Sequence, residues 1–232
     1  MIDIIIPTML LSDKDIFSYT LSELDASPHV QKIIVLDNTK DKKFKDNFSC
    51  QKLDLIENGK NIYVNPAWNL GMSRVNSDHY IILNDDILCH RNIFKIANEY
   101  MTKNQNLGIL TFKTVQNMPI EKYKEAMIDL IEKKSNITLS IPNNRIGWFM
   151  CGRKKDWVDI PNSLKIWFGD DYIYMLARMK NKKCAMCTPH FIVHYESTTL
   201  TNKDHKSDFK TVIQADKKAW PNVVRSVKQC LL

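Results

Sequence analysis

The first half of the chain alternates short apolar runs with amphipathic stretches. "DIIIP" (3–7) and "KIIVLD" (32–37) are β-branched runs ended by proline or an acidic residue, and each reads as a buried strand. Between them, Asp13 to Ala26 places Ile16, Tyr19, Thr20 and Leu24 at helical spacing. "NIYVN" (61–65) reads as a third strand, followed by a helix from Pro66, since proline suits a first helical turn. "HYIILN" (79–84) is the fourth strand. Asn92 then reads as the N-cap of a helix with Ile93, Ile96, Ala97 and Tyr100 on one face. "LGILTF" (107–112) closes the series.

This rhythm predicts an α/β fold, a mostly parallel sheet flanked by helices on both faces. Ligands of such sheets bind beyond the carboxyl ends of the strands. Pro7-Thr8, Asp37-Asn38 and Asn84-Asp85-Asp86 all fall at such ends.

The second half is less regular. A polar helix and a loop around "SIPNNR" occupy 113–144, followed by the apolar "IGWFMCGR" (146–153). "WFGDDYIYMLARMKNK" (167–182) reads as a turn feeding an amphipathic helix, and "CAMCTPHFIVHYES" (184–197) as mostly strand. The tail from Lys210 is helical in pattern, with a break expected at Pro221. No linker or repeat divides the chain. A single domain over 1–232 is expected, with a regular first half (1–112) and a variable second half (113–232).

Composition narrows the class. The 232 residues are 44% hydrophobic and 25% charged, enough for a sizeable core without disulfides. A net charge of +7 suits an anionic partner such as a nucleotide, a nucleic acid or a membrane headgroup layer, although solvated lysines explain it equally well. No run approaches the ~18 apolar residues of a membrane span. The start "MIDIIIPTMLLS" lacks the basic region of a signal peptide. Six scattered cysteines point to a reducing, cytoplasmic setting, with at most peripheral membrane contact.

The six glycines form neither a G-x-G-x-x-G nor a P-loop pattern, which removes the usual phosphate cradles. A diphosphate can instead be held through a divalent cation, and a hard cation prefers carboxylate oxygens such as those of Asp85 and Asp86. A second acidic pair, Asp170-Asp171 in "FGDDY", stands at a helix start, where carboxylates are favoured in any case.

Taken in order, "IIIPT", "VLDNT", "AWNLG", "YIILNDD" and "FGDDY" resemble the motifs of the family 2 glycosyltransferases of the GT-A fold, over most of residues 2 to 200. The resemblance implies a single displacement with inversion, in which a sugar passes from a nucleotide diphosphate to an acceptor hydroxyl in glycan or glycoconjugate synthesis. It implies a donor site of Pro7, Thr8, Asp37, Asn38, Asn65, Trp68, Asn69, Asn84 and Asp85. It implies Mn2+ or Mg2+ on Asp86 and His194, and Asp171 as base with Asp170 orienting the acceptor. It makes 1–112 the nucleotide-sugar-binding half and 113–232, with its C-terminal helix, the acceptor-binding half, and it places Gly147, Trp148 and Phe149 on the acceptor side.

The donor it implies is UDP-linked, with GDP or dTDP as alternatives. The acceptor is glycan, lipid-linked or protein-linked, and nucleic acid is not a partner. Two departures stand out: Asn84 replaces the first aspartate of the D-x-D motif, and Asn38 replaces the second residue of the acidic pair that reads uracil.

Other readings stay open at this point. Cys184, Cys187, His190 and His194 could form a zinc site, but strand alternation would turn the two thiols to opposite faces. His190 reads as structural, and Trp157 and Trp167 as core. A nucleotidyltransferase lacks its Gly-rich, lysine-bearing segment after the first strand. A non-catalytic basic module would use Lys40, Lys42, Lys43 and Lys45, or Lys180, Lys182 and Lys183.

Overall fold

Seven consecutive buried residues, Ile2–Thr8, form strand β1 at the centre of the molecule. A strand buried on both faces must be apolar throughout, and its side chains divide between two layers. Ile4 and Ile6 join one apolar cluster and Ile5 the other. The computed structural model describes residues 1–40, 44–142, 146–195 and 206–229, with side chains of the last segment described from Phe209 onward.

Parallel strands β2 (Val30–Asp37) and β4 (His79–Leu83) flank β1, and β3 (Leu53–Glu57) pairs in parallel with β2. Beyond β4 the directions mix. β8 (Phe149–Arg153) is antiparallel to both β4 and β6 (Leu107–Gln116), and β6 runs parallel to the long β9 (Lys183–His194). Short strands β5 (Ile87–Leu88) and β7 (Thr138–Ser140) pair antiparallel with β9. The described residues thus form a nine-stranded mixed sheet, ordered β3-β2-β1-β4-β8-β6-β9-β5, with β7 on β9.

Helices cover both faces. One layer contains α1 (Lys14–Ala26), α4 (Arg91–Lys103) and α5 (Ile120–Glu132), and the other α3 (Val64–Arg74) and α6 (Gly169–Met179). A four-residue α2 (Phe44–Asn47) precedes β3. The C-terminal α7 (Lys206–Gln229) adds Val223, Ala219 and Trp220 to the α3–α6 cluster.

The α/β class and the first, second and fourth strands agree with the sequence pattern. The third strand lies earlier than expected. The alternating "LDLIE" pairs with β2, whereas 61–63 is loop and Val64 already opens α3. Tyr63 makes that entry with φ of 67°, a left-handed backbone uncommon for tyrosine.

His90, not Asn92, caps α4: its Nδ1 accepts from the backbone N–H of Asn92 at 3.1 Å. "LGILTF" does not sit beside β4 as a parallel continuation, because β8 inserts between them. The C-terminal helix runs through Pro221 rather than breaking there. The missing N–H removes one backbone bond, which the anchoring of Phe209, Trp220 and Val223 offsets.

Cys50, Cys89, Cys151, Cys184 and Cys187 are free thiols, while Cys230 lies outside the described residues. No helix among the described residues is long and apolar enough to cross a membrane. Lys180 and Lys182 donate to the backbone carbonyls of Asp156 and Gln105, so this run secures loops. Lys45 pairs with Glu57, and Lys42 and Lys43 lie outside the described residues.

Candidate active site

The carboxyl ends of β1, β2 and β4 open into a cleft of about 490 Å³, whose far wall is the turn that starts α6. Sheet geometry explains the convergence. Thr8 stands opposite Asp37 in the β1–β2 register, and Leu83 opposite Phe149 between β4 and β8, so the motif residues leave the sheet at one edge.

Of the expected site residues, the cleft is lined by Pro7, Thr8, Asn38, Trp68, Asn84, Asp85, Asp86, Gly147, Trp148, Asp170, Asp171 and His194. These come from widely separated segments, and an arrangement of caps and core fillers has no reason to share one cavity.

Asp85 and Asp86 divide their work. The hydroxyl of Thr8 donates to Asp85 Oδ2 at 2.5 Å and that of Ser12 to Oδ1 at 2.8 Å. Asp85 therefore ties the end of β4 to the loop after β1. Burial and then the charge of Asp86 push its carboxyl up to about 6, against the pull of those two hydroxyls.

Asp86 faces the other way. Its Oδ1 is buried, accepts no hydrogen bond among the described residues, and lies 3.5 Å from Nε2 of His194. The β5–β9 pairing creates this meeting, for Ile87 stands opposite His194 and the Tyr195 N–H donates to the Asp86 carbonyl at 3.0 Å. Trp148 stacks on the imidazole at 4.6 Å and 19°, and its indole N–H is held by Thr114. A buried oxygen that accepts no hydrogen bond among the described residues, 3.5 Å from an imidazole held flat, suits a divalent cation that takes further ligands from a diphosphate. Among the described residues no group of three or more His, Cys, Asp or Glu side chains forms a cation cage.

The same finding bears on the zinc reading. Cys187 belongs to the α1–α4 cluster and Cys184 to the α3–α6 cluster, on opposite sides of the sheet. His190 is buried, in keeping with a structural residue.

Four expected residues stand elsewhere. Asp37 is buried behind the cleft and accepts from the Thr39 N–H, its second oxygen without a partner among the described residues. Phe149 is core, edge-on to Phe112 at 5.3 Å. Asn65 and Asn69 point from α3 towards the second half of the chain. Asn69 donates to the Ile160 carbonyl and accepts from the Ile160 N–H, both at 2.9 Å. The Asn65 amide donates to the Trp167 carbonyl at 3.1 Å, and its backbone N–H to the Lys165 carbonyl at 2.9 Å. Both asparagines fix the loop before α6 instead of lining the donor cleft.

The cleft also contains residues that the pattern missed. Asn61, Tyr63, Ile166, Trp167, Phe168 and Phe209 line it. Trp167, expected in the core, is 38% exposed at the rim with the Lys217 ammonium 4.6 Å from its ring centre. Trp157 packs edge-on against Tyr80, away from the cleft. Asp216 is fully buried on α7 and accepts from the backbone N–H groups of Lys165, Ile166 and Trp167, each at 2.8 Å. Its only sequence signal is an acidic residue on the apolar side of an amphipathic helix.

Asp170 and Asp171 occupy the first turn of α6, after Phe168 turns the chain with φ of 63°. Gly169 allows that turn to dock on α3, since a Cβ there would meet Asn65 Oδ1 at 2.1 Å and Trp68 at 2.9 Å. Gly169→Ala should cost about 1–3 kcal/mol by overpacking. It should lower the melting temperature by several degrees, as calorimetry would read.

No family model and no curated protein sequence matches the chain. Solved structures do. The crystal structure of S. aureus TarS 1–349 superposes with a TM-score of 0.59 at 12% identity, covering 84% of this chain and 60% of that one. The same protein in complex with UDP gives 0.59 at 13% identity, over 93% and 64%. A further TarS crystal structure gives 0.56 at 13%, over 94% and 39%. The chain therefore spans less than two thirds of the structures it resembles. What it shares with them is a GT-A-like glycosyltransferase fold.

Proposed function

We propose that the chain is a glycosyltransferase that moves a sugar from a nucleotide-diphosphate donor to an acceptor hydroxyl with inversion. The observation that carries this reading is the single cleft joining the ends of β1, β2 and β4 to the acidic start of α6. The fold similarity to TarS, one of whose structures contains UDP, supports it independently.

In this reading Asn38, whose side-chain Oδ1 accepts from the Asn58 side-chain amide at 2.9 Å, borders the nucleoside pocket with Asn61 and Tyr63. Pro7 and Thr8 form its floor at the end of β1. Asp86 and His194 would hold Mn2+ or Mg2+ against the diphosphate. When bound, such a cation neutralises the charge that develops on the leaving group.

Across the cleft, Asp171 takes the proton of the acceptor hydroxyl as its oxygen bonds to the anomeric carbon. The anomeric carbon–phosphate oxygen bond breaks, and its electron pair leaves with the nucleoside diphosphate. Asp170, packed against Gly147, orients the acceptor beside Trp148.

The decisive experiment is a thermal-shift screen of UDP, GDP and dTDP with and without manganese, followed by incubation with nucleotide sugars. A manganese-dependent shift and release of a nucleoside diphosphate are expected. Release of pyrophosphate would indicate a nucleotidyltransferase, and no shift with any nucleotide would sink the donor site.

A further inference from the structure

The turn bearing Asp170 and Asp171 is gripped on both edges of its backbone. From α3, Asn65 holds the carbonyls of Lys165 and Trp167. From α7, Asp216 receives the N–H groups of Lys165, Ile166 and Trp167. Three consecutive N–H donors facing one carboxylate have no partner in a helix or sheet ladder, and an uncharged acceptor cannot satisfy them equally. The same helix supports the strained points of the cleft. Trp220 stacks on Phe168 at 5.0 Å and 7°, and Phe209 meets Tyr63 edge-on at 6.5 Å. Phe168 and Tyr63 are both non-glycine residues with positive φ, conformations that persist only when their surroundings impose them.

We propose that Asp216 is a positioning residue for catalysis: by holding the 165–167 backbone it sets where Asp170 and Asp171 stand, and α7 is thereby a working wall of the cleft. The inference rests on the transferase reading for its effect on turnover, but not for its effect on the loop. Asp216 touches no reacting atom. It acts through the loop, and among the described residues none of its hydrogen bonds goes to Asn38, Asn61 or Tyr63 at the nucleoside end of the cleft.

The test uses the full chain with Asp216→Asn, which keeps size and shape but replaces one acceptor oxygen by a donor amide. Exchange of the Lys165, Ile166 and Trp167 amide hydrogens should accelerate about 100-fold while β1 and β4 amides stay protected. Turnover should fall roughly 100-fold, the effect of misplacing a catalytic group by about 1 Å. KM for the donor should stay within about threefold, since donor binding is uniform with respect to that loss. Asp216→Glu, which restores both oxygens, should recover part of kcat. Unchanged loop exchange, or an accelerated loop with unaltered kcat, would overturn the proposal, as would equal losses in kcat and donor affinity. Should Asp216→Asn not fold, Asp216→Glu carries the test: it shifts the carboxylate by one methylene, so faster exchange of the three amides with lower kcat at wild-type donor KM is expected, and accelerated exchange with wild-type kcat overturns the proposal. If the wild-type chain transfers no sugar from any donor, the transferase reading fails, and the exchange measurement alone decides whether Asp216 holds the loop.

Discussion

Asp171→Asn is expected to lower transfer by a factor of about 10²–10⁴ while leaving nucleotide affinity within experimental error. The factor is the usual contribution of a positioned general base. Asparagine keeps the shape of the side chain in the first turn of α6 but cannot accept the acceptor's proton. The donor pocket should be unaffected because Asn38, Asn61 and Tyr63, which border its nucleoside end, all lie outside α6.

The macrodipole part of the stability change is about 0.3–1 kcal/mol, the usual contribution of one carboxylate at a helix N-terminus. Steady-state kinetics beside nucleotide titration checks the separation. Asp170→Asn should be milder and should raise the acceptor KM, because that side chain lies on Gly147 at the acceptor wall. If Asp170→Asn instead carries the large loss and Asp171→Asn the small one, the two roles are reversed. If both variants keep wild-type turnover, neither carboxylate is the base.

What could be read from the sequence, and what could not, follows from how local each signal is. β1, β2 and β4 are buried on both faces, so their apolar runs are contiguous and easy to see. The residues at their ends inherit that clarity, which is why Thr8, Asn38 and Asp86 could be placed together from letters alone. β3 is only half-buried along its length, and its "LDLIE" gives a weaker signal than the β-branched "NIYV" that follows. In the latter, 61–63 is loop and Val64 is already helical, because Tyr63 turns the chain into α3.

Asn65 and Asn69 were read by motif, and their geometry assigns both to the backbone of a distant loop. Polar side chains on a buried helix face serve whichever backbone lies opposite, and sequence does not reveal what lies opposite. Asp216, too, holds amides 49 to 51 residues earlier in the chain. The insertion of β8 between β4 and β6 is likewise a long-range pairing with no local marker.

Asp86→Asn should separate function from stability in opposite directions. Asp86 Oδ1 is buried without a hydrogen bond among the described residues, and its charge adds to burial, the larger cause, in raising the pKa of Asp85 beside it. Two adjacent buried carboxylates repel, so removing one charge relieves the ligand-free protein. In the presence of a chelator, Asp86→Asn should melt at or slightly above the wild-type temperature. The opposite holds with ligand. A nucleotide at about a hundred times its Kd stabilises a protein by about 2.7 kcal/mol, and the manganese-dependent part of that gain should vanish.

Transfer should be lost as well, because Asn retains an oxygen but not the anionic ligand that a hard cation requires. His194→Ala should weaken the same response less completely and also release Trp148, whose indole stacks on the imidazole. Differential scanning fluorimetry with chelator, manganese, UDP and both together reads all four states. A variant at Asp86 that keeps the manganese-dependent UDP shift would remove that residue from the cation site. One that melts well below wild type under chelation would mean that the buried charge is paired for stability, and that the strain between the two carboxylates is not stored for binding.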